Sequence, residues 1–510
     1  MSSANRVIKN TGFLYAKMGI TMFISLATTR LVLNALGAAD FGIFNVVGGA
    51  IAMLGFLHAA MSTATQRFMS FYEGKGEKDK QKHIFNVSLV LHFLIAIGLG
   101  LILLVAGYFF FNGVLNIAPD RIYAAKVVYG SLIVSTMFTV MSVPYEAVLN
   151  AHENMLYYSI VGVIESLLKL AVALIVVNYV GDKLELYGLL TACIPLLVLT
   201  VMRIYCHKKY SECVLAPKKY WEPILMKEMT SFAGWNLFGT ASGMISQYGI
   251  GIVLNTFYGT ILNAAHGIAN QLSGQLMAFS NNMMKAVNPV IVKSEGGGNR
   301  DKMLKTSLFS AKLSFLMLAF FAIPFMIETP YILKIWLKNV PPWAILFVRL
   351  QLFRSLIEQL TIMIGRTISA QGNIRNFMKI KSILNVLPIV LTYLLFIYDF
   401  PPFYMYVVWI LCWGVFGGCV TLYFANRNCG LSYQSFYEIV FKPVLLLFLI
   451  ITTIGCIASY CMEPGILRLF IVTVVTCVSF VLLYVLRFSS ELEKKLFRSL
   501  LKKIFKNRYK

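Results

Sequence analysis

Apolar residues run through this chain in long unbroken blocks, separated by short polar or charged stretches. Fourteen blocks can be marked, at approximately 11–35, 41–70, 83–111, 122–150, 155–180, 184–206, 226–257, 261–293, 304–327, 341–370, 376–398, 402–426, 437–460 and 465–487. A block of about 20 apolar residues is the length an α-helix needs to cross a bilayer. Continuous rather than alternating hydrophobicity excludes a transmembrane β-barrel. The pattern therefore predicts an all-α polytopic membrane protein with about 14 transmembrane helices. The first block, from Thr11, is too long for the apolar core of a signal peptide, and no small-residue cleavage site follows it.

Composition agrees. Of the 510 residues, 58% are hydrophobic and 13% charged, with a mean hydropathy of +0.73. No soluble chain buries that much apolar surface. The formal charge of +23 would ordinarily suggest nucleic acid, but the cations sit in alternate loops and in the tail from Lys494 to Lys510. Such a tail suits anionic lipid. Lys75, Lys78, Lys80 and Lys82 mark one basic loop, Arg203 to Lys227 a second, and Lys293 to Lys305 a third. The intervening loops are poor in Lys and Arg, with Arg121, Lys183, Lys334 and Lys338 as exceptions. The positive-inside rule places both termini in the cytoplasm. Nine cysteines form no CxxC pair and read as small apolar residues.

The chain repeats itself. At an offset of 222 residues Gly12 falls on Gly234, Gly37 on Gly259, Met61 on Met283, Glu73 on Glu295, Gly74 on Gly296 and Asp79 on Asp301. After a slip of three, Ala151 falls on Ala370 and Asn154 on Asn373. Six blocks resemble the next six, and an even number makes the repeat parallel. The expected organisation is a six-helix bundle over 1–215, a second over 216–430, two additional helices over 431–490 and a basic cytoplasmic tail over 491–510. Parallel repeats of this kind put a cavity between their halves and move substrate by rocking.

Two stretches carry a family resemblance: Leu36-Gly37-Ala38-Ala39-Asp40-Phe41-Gly42-Ile43-Phe44-Asn45-Val46-Val47 and Ser62-Thr63-Ala64-Thr65-Gln66-Arg67-Phe68. The segment Asn150-Ala151-His152-Glu153-Asn154-Met155 adds to them. The chain resembles the MOP superfamily of exporters (multidrug/oligosaccharidyl-lipid/polysaccharide), nearest its polysaccharide flippase branch. The resemblance implies a MATE-like fold. It also implies a flippase of the bacterial inner membrane, carrying undecaprenyl-diphosphate-linked oligosaccharide for O-antigen, capsule or exopolysaccharide synthesis. Partners would be that glycolipid, membrane lipids, and the polymerase and glycosyltransferases of the same route. No cofactor and no metal are expected.

Charge inside a bilayer is costly and normally faces a cavity or a partner. Arg30 lies in the first block about 7 residues past its middle, or roughly 10 Å outward. Asn34 shares its helix face, Lys17 lies on the inner half, Arg67 ends the second block, and Lys285 sits in the eighth. All but Asn34 are cations, and no carboxylate lies deep in blocks one, two, seven or eight. A cavity so lined suits a diphosphate, although Lys17, Arg67 and Lys285 could also snorkel to an interface. The resemblance favours Arg30 and the first and eighth helices for holding the lipid diphosphate. Glu165 with Lys169, and Arg354 with Glu358, can pair on one helix face. Glu146 and Arg366 have no sequence-local partner and are candidates for coupling or for pairing between halves. Gly239 and Gly243 form a GxxxG packing motif. His58, His92 and His266 stand alone in apolar blocks and read as packing or hydrogen-bonding residues.

There is no Walker A motif, no HExxH and no GxSxG, and no large external loop for glycosyl transfer, so catalysis is not expected. A multidrug antiporter of the same superfamily is the alternative. Cationic drugs would call for buried carboxylates, which the first block lacks.

Overall fold

In the computed structural model the described residues are 3–52, 55–114, 117–337 and 339–489. Helices account for nearly all of them, and no strand occurs among them. Thirteen long helices follow in order: α1 Ser3–Ala52, α2 Gly55–Lys75, α3 Lys78–Phe109, α4 Ile122–Ala151, α5 Met155–Val177, α6 Lys183–Lys209, α7 Pro223–Gly296, α8 Arg300–Leu337, α9 Ala344–Gln371, α10 Arg375–Ile397, α11 Tyr404–Cys429, α12 Tyr433–Tyr460 and α13 Ile466–Phe488. Eleven helices among the described residues are long and apolar enough to cross a membrane. The helices α2 and α9 are not among the eleven; α9 carries Arg349, Arg354, Glu358 and Arg366. The basic tail expected at 491–510 lies outside the described residues.

The repeat is written into the backbone. The two longest helices each break once, α1 at Gly37 (φ 79°, ψ 167°) and α7 at Gly259 (φ 76°, ψ −173°). These glycines are repeat partners, and only glycine adopts such angles without strain. The next tight turns also match: Gly76 (φ 75°) with Gly298 (φ 72°). Glu153 (φ 55°) falls on Gly372 (φ 104°) at the slipped offset. Equivalent left-handed turns end equivalent helices.

The chain separates into two compact units. The first is Val7–Thr240 with Val292–Asn299. The second is Ala241–Ile291 with the described parts of Met1–Arg6 and Arg300–Lys510. The core of the first unit joins Val47, Leu103, Val128, Ile133 and Leu184 around Tyr129, whose hydroxyl donates to Leu103 O at 2.6 Å. The second unit packs Phe347, Leu352, Met405, Tyr406 and Trp409 in one cluster and Phe315, Leu356, Val444, Ile451 and Phe480 in another. That second cluster seats α12 and α13 on α8 and α9, so the two helices outside the repeat have their own apolar anchorage.

Candidate functional site

The expected cations take three different environments. Arg30 and Asn34 stand exposed on α1. Arg30 has no ion-pair or hydrogen-bond partner among the described residues, and its neighbours Phe23 and Leu26 are exposed apolar side chains. Lys17, nearly four turns earlier, instead lies against α5. Its Nζ is 4.3 Å from the centroid of the Tyr158 ring, and its side chain fills the space a Cβ would need at Gly162. Arg67 sits among aromatic faces, with its guanidinium carbon 4.7 Å from Phe68, 4.8 Å from Phe71 and 5.5 Å from Phe232. Such faces attract a cation through the ring quadrupole. Lys285 is half-buried on α7, beside Asn282, which donates to Ala278 O at 3.0 Å.

Between Arg30 and Lys17, Arg30 thus keeps its charge open, while Lys17 is committed to packing and aromatic contact. Glu146 accepts from Ser142 Oγ at 3.2 Å, and Arg366 is half-buried on α9. The two i,i+4 pairs form as expected: Lys169–Glu165 at 2.6 Å and Arg354–Glu358 at 2.8 Å. Arg354 also lies 4.1 Å from the Trp409 ring. His266 is a hydrogen-bonding core residue, 2.8 Å from Tyr406 Oη and 3.0 Å from Asn270 Nδ2.

Arg121, an exception to the loop-charge pattern, has its own explanation. It donates to Asp40 Oδ1 at 2.9 Å and to Asp182 Oδ2 at 2.6 Å. Asp182 also caps α6 through Leu184 N and Glu185 N. The arginine is therefore neutralised locally.

At the other end of the first unit the loops are tied by charge. His152 Nδ1 faces Glu73 Oε1 at 3.3 Å, and its Nε2 meets Glu212. Tyr210 stacks on the ring at 4.3 Å. Both ring nitrogens face acceptors, so both carry hydrogen in the favoured form. Burial would lower the His152 pKa, but the hydrogen bonds to Glu212 and Glu73 outweigh it and raise the value. Burial likewise pushes Glu73 up, but bonds from His152, Lys78 and Gln81 bring it down to about 2. The ligand atoms of this trio lie within 4.8 Å of one another. A metal ion could use them only if His152 turned from one carboxylate. Glu153 completes the junction by pairing with Lys293 at 3.1 Å, while its carbonyl accepts from Asn10 at 3.0 Å.

Sequence reasoning missed this junction, because its members come from the end of α2 and two separate loops. It also passed over Glu328, Arg349 and Arg468, whose signal was simply charge inside or beside apolar blocks.

The sequence matches the family model described as "Polysaccharide biosynthesis protein" over residues 7–295. No curated protein matches. Among solved structures, a MATE mutant aligns with TM-score 0.72 and 14% identity, over 83% of this chain and 96% of its own. An outward-facing multidrug resistance MATE family transporter of the MOP superfamily gives 0.70 and 14%, over 83% and 95%. A MOP superfamily transporter from Pyrococcus furiosus, described as having reverse polarity of its binding pocket, gives 0.67 and 15%, over 84% and 96%. At these identities the likeness is one of fold.

Proposed function

Because the chain belongs to the polysaccharide biosynthesis protein family of the MOP superfamily, we propose that it is a flippase for lipid-linked oligosaccharide. It is a multi-pass membrane transporter with a MATE-type fold. The substrate is an undecaprenyl-diphosphate-linked repeat unit for O-antigen, capsule or exopolysaccharide. It is carried by alternating access across a bacterial inner membrane, with both termini on the cytoplasmic side. The transport step makes and breaks no covalent bond, so no catalytic residue is assigned.

One observation carries the reading: Arg30 stands exposed on a membrane-spanning helix, and no carboxylate among the described residues pairs with it. An unpaired guanidinium at membrane depth is costly unless an anion meets it, and its fork fits phosphate oxygens. Asn34, on the same face, adds neutral hydrogen bonding for phosphate or sugar. Arg67 and Lys285 are the further substrate-binding candidates, with Lys17 behind them. Glu146 and Arg366 remain candidates for coupling. Polymerase and glycosyltransferases of the same route are the proposed partners.

The test is flipping of a fluorescent lipid-diphosphate oligosaccharide in proteoliposomes under an imposed gradient. The intact protein should flip it, and Arg30→Ala, checked for folding by thermal unfolding, should lose about tenfold or more, the scale of one charge-assisted phosphate contact. Export of cationic dyes without lipid flipping would overturn the reading in favour of a multidrug antiporter.

A further inference from the structure

The second unit encloses a cavity of about 560 Å³ walled by α8, α9, α12 and α13. That volume is in the range of small-ligand sites. It lies where α8 and α12 approach their ends and α9 and α13 begin, and it opens beside Cys456 and Tyr460, both exposed. Ile323, Ile327 and Phe448 give it an apolar wall. Besides Cys456 and Tyr460 at the mouth, its polar groups are Arg349, Thr452, Ser459 and Arg468.

Two of those groups are already spent. Arg468 donates to Glu328 Oε2 through Nη2 at 3.0 Å and Nε at 3.2 Å, and Ser459 donates to Glu328 Oε1 at 3.2 Å. The other two are not. Pro330 has no N–H, so Met326 O, four residues earlier, lacks its helical donor. Arg349 Nε donates there at 2.8 Å, beside the Thr329 hydroxyl at 3.2 Å, and Nη2 reaches Ile327 O at 3.2 Å. This uses two of five guanidinium N–H groups and none of the charge. No described carboxylate pairs with Arg349. Thr453 bonds back to Leu449 O at 2.8 Å, whereas the hydroxyl of Thr452 is buried and makes no hydrogen bond among the described residues. Hydroxyl and guanidinium both line the cavity.

A buried donor without an acceptor, and a cation without a counterion in an apolar wall, are each unfavourable. Together they call for an anion with acceptor oxygens. The net charge of Arg349, Arg468 and Glu328 is +1, which matches one phosphodiester and leaves a diphosphate in excess. Leu449, Ile457, Ile466 and Phe470 on α12 and α13 are exposed and offer hydrocarbon contact beside the mouth. We propose that this cavity binds an anionic glycerophospholipid, its phosphate held by Arg349 and Thr452 and its acyl chains lying along α12 and α13. The site is separate from the transported substrate, and failure of the flippase reading would leave it standing.

The test is native mass spectrometry of the detergent-purified full chain. The added probes are phosphatidylglycerol, phosphatidylcholine with the same acyl chains, inorganic phosphate and an undecaprenyl diphosphate. Phosphatidylglycerol should be retained over phosphatidylcholine. Arg349→Gln, whose amide can still donate to Met326 O, should lose that preference about tenfold. Thr452→Phe, which fills the cavity and leaves Arg349 in place, should reduce phosphatidylglycerol binding without affecting fold. Equal retention of the two phospholipids, or an unchanged preference in both variants, overturns the proposal. So does Arg349-dependent binding of inorganic phosphate alone, or tighter Arg349-dependent binding of the diphosphate, which would make the cavity a substrate subsite.

Discussion

Gly74 and Gly296 occupy equivalent places in one symmetric helix crossing. A Cβ on Gly74 would run into the backbone carbonyl of Lys293, and a Cβ on Gly296 into that of Phe71. The symmetry is arithmetic as well as spatial, since 296 − 74 and 293 − 71 are both 222. Each glycine of the repeat pair thus meets the repeat partner of the residue the other meets.

Backbone cannot swing aside as a side chain can, so Gly74→Ala and Gly296→Ala should each destabilise by about 1–3 kcal/mol, the usual cost of overpacking. Helix propensity alone would favour the change by about 0.5–1 kcal/mol. Gly98 on α3 has nothing within 4 Å of a built Cβ, and Gly98→Ala should be neutral or stabilising. Thermal unfolding of the purified variants checks the contrast; equal melting temperatures for all three would remove the close approach as a constraint.

The loop junction around His152 should make stability fall as pH rises. A folded-state pKa raised above its ordinary value contributes stability that is complete below the unfolded pKa and is lost above the folded one. For His152 that loss lies above its usual 6.5. Glu73, brought down from 4.5 to about 2, contributes above the higher value and loses it only as pH falls toward the lower. The junction is therefore strongest in mildly acidic solution. Unfolding temperature measured from pH 5 to 9 should drop across the alkaline half. His152→Asn should be less stable at the acidic end and show a flatter profile; a slope unchanged in that variant would place the titration elsewhere.

Arg121 stands between two carboxylates, and its loss should cost more than the loss of either. Arg121→Gln leaves Asp40 and Asp182 facing each other, whereas Asp40→Asn leaves Arg121 bonded to Asp182. With all three side chains about a fifth to a quarter exposed, water tempers both effects. The expected losses are about 1–2 kcal/mol for Arg121→Gln and under 1 kcal/mol for Asp40→Asn. Added salt should narrow the difference, by screening the aspartate pair, when the two variants are compared by chemical unfolding.

Long-range order along the chain was readable where it has a linear signature. Apolar blocks marked the helices, and Gly37 and Gly259 were visible as repeat partners at turns, where they do break α1 and α7. The pairs Glu165–Lys169 and Arg354–Glu358 were visible because an i,i+4 spacing is local. The Glu73, His152 and Glu212 junction was not, since three segments 60 residues or more apart must come together before it exists. Gly74 was read as a repeat identity but not as a close approach. A Cβ added to the GxxxG residue Gly243, read as a packing site, would meet Asn385 and Trp413 at an ordinary 3.8 Å. Arg30 and Lys17 look alike in sequence, and only the position of Tyr158 separates the committed cation from the open one.

Glu328 and Arg468 make the strongest single claim about the two helices outside the repeat. Glu328 has no exposed side-chain surface and Arg468 only 13%, and no other described cation pairs with Glu328. The pair joins α8 to the first turn of α13. Removing one partner of a buried pair strands the other charge, at a cost of about 3–5 kcal/mol, while replacing both with apolar residues is often neutral. Glu328→Gln retains a hydrogen-bond acceptor and should fall at the low end; Arg468→Met, which leaves a carboxylate buried among apolar helices, should fall at the high end. The double variant Glu328→Met with Arg468→Met should recover most of the loss. A thermal-unfolding cycle of the four proteins reads the coupling. Additive losses would mean that the ion pair does not fasten α13, and that the apolar contacts of Phe480 and its neighbours hold it alone.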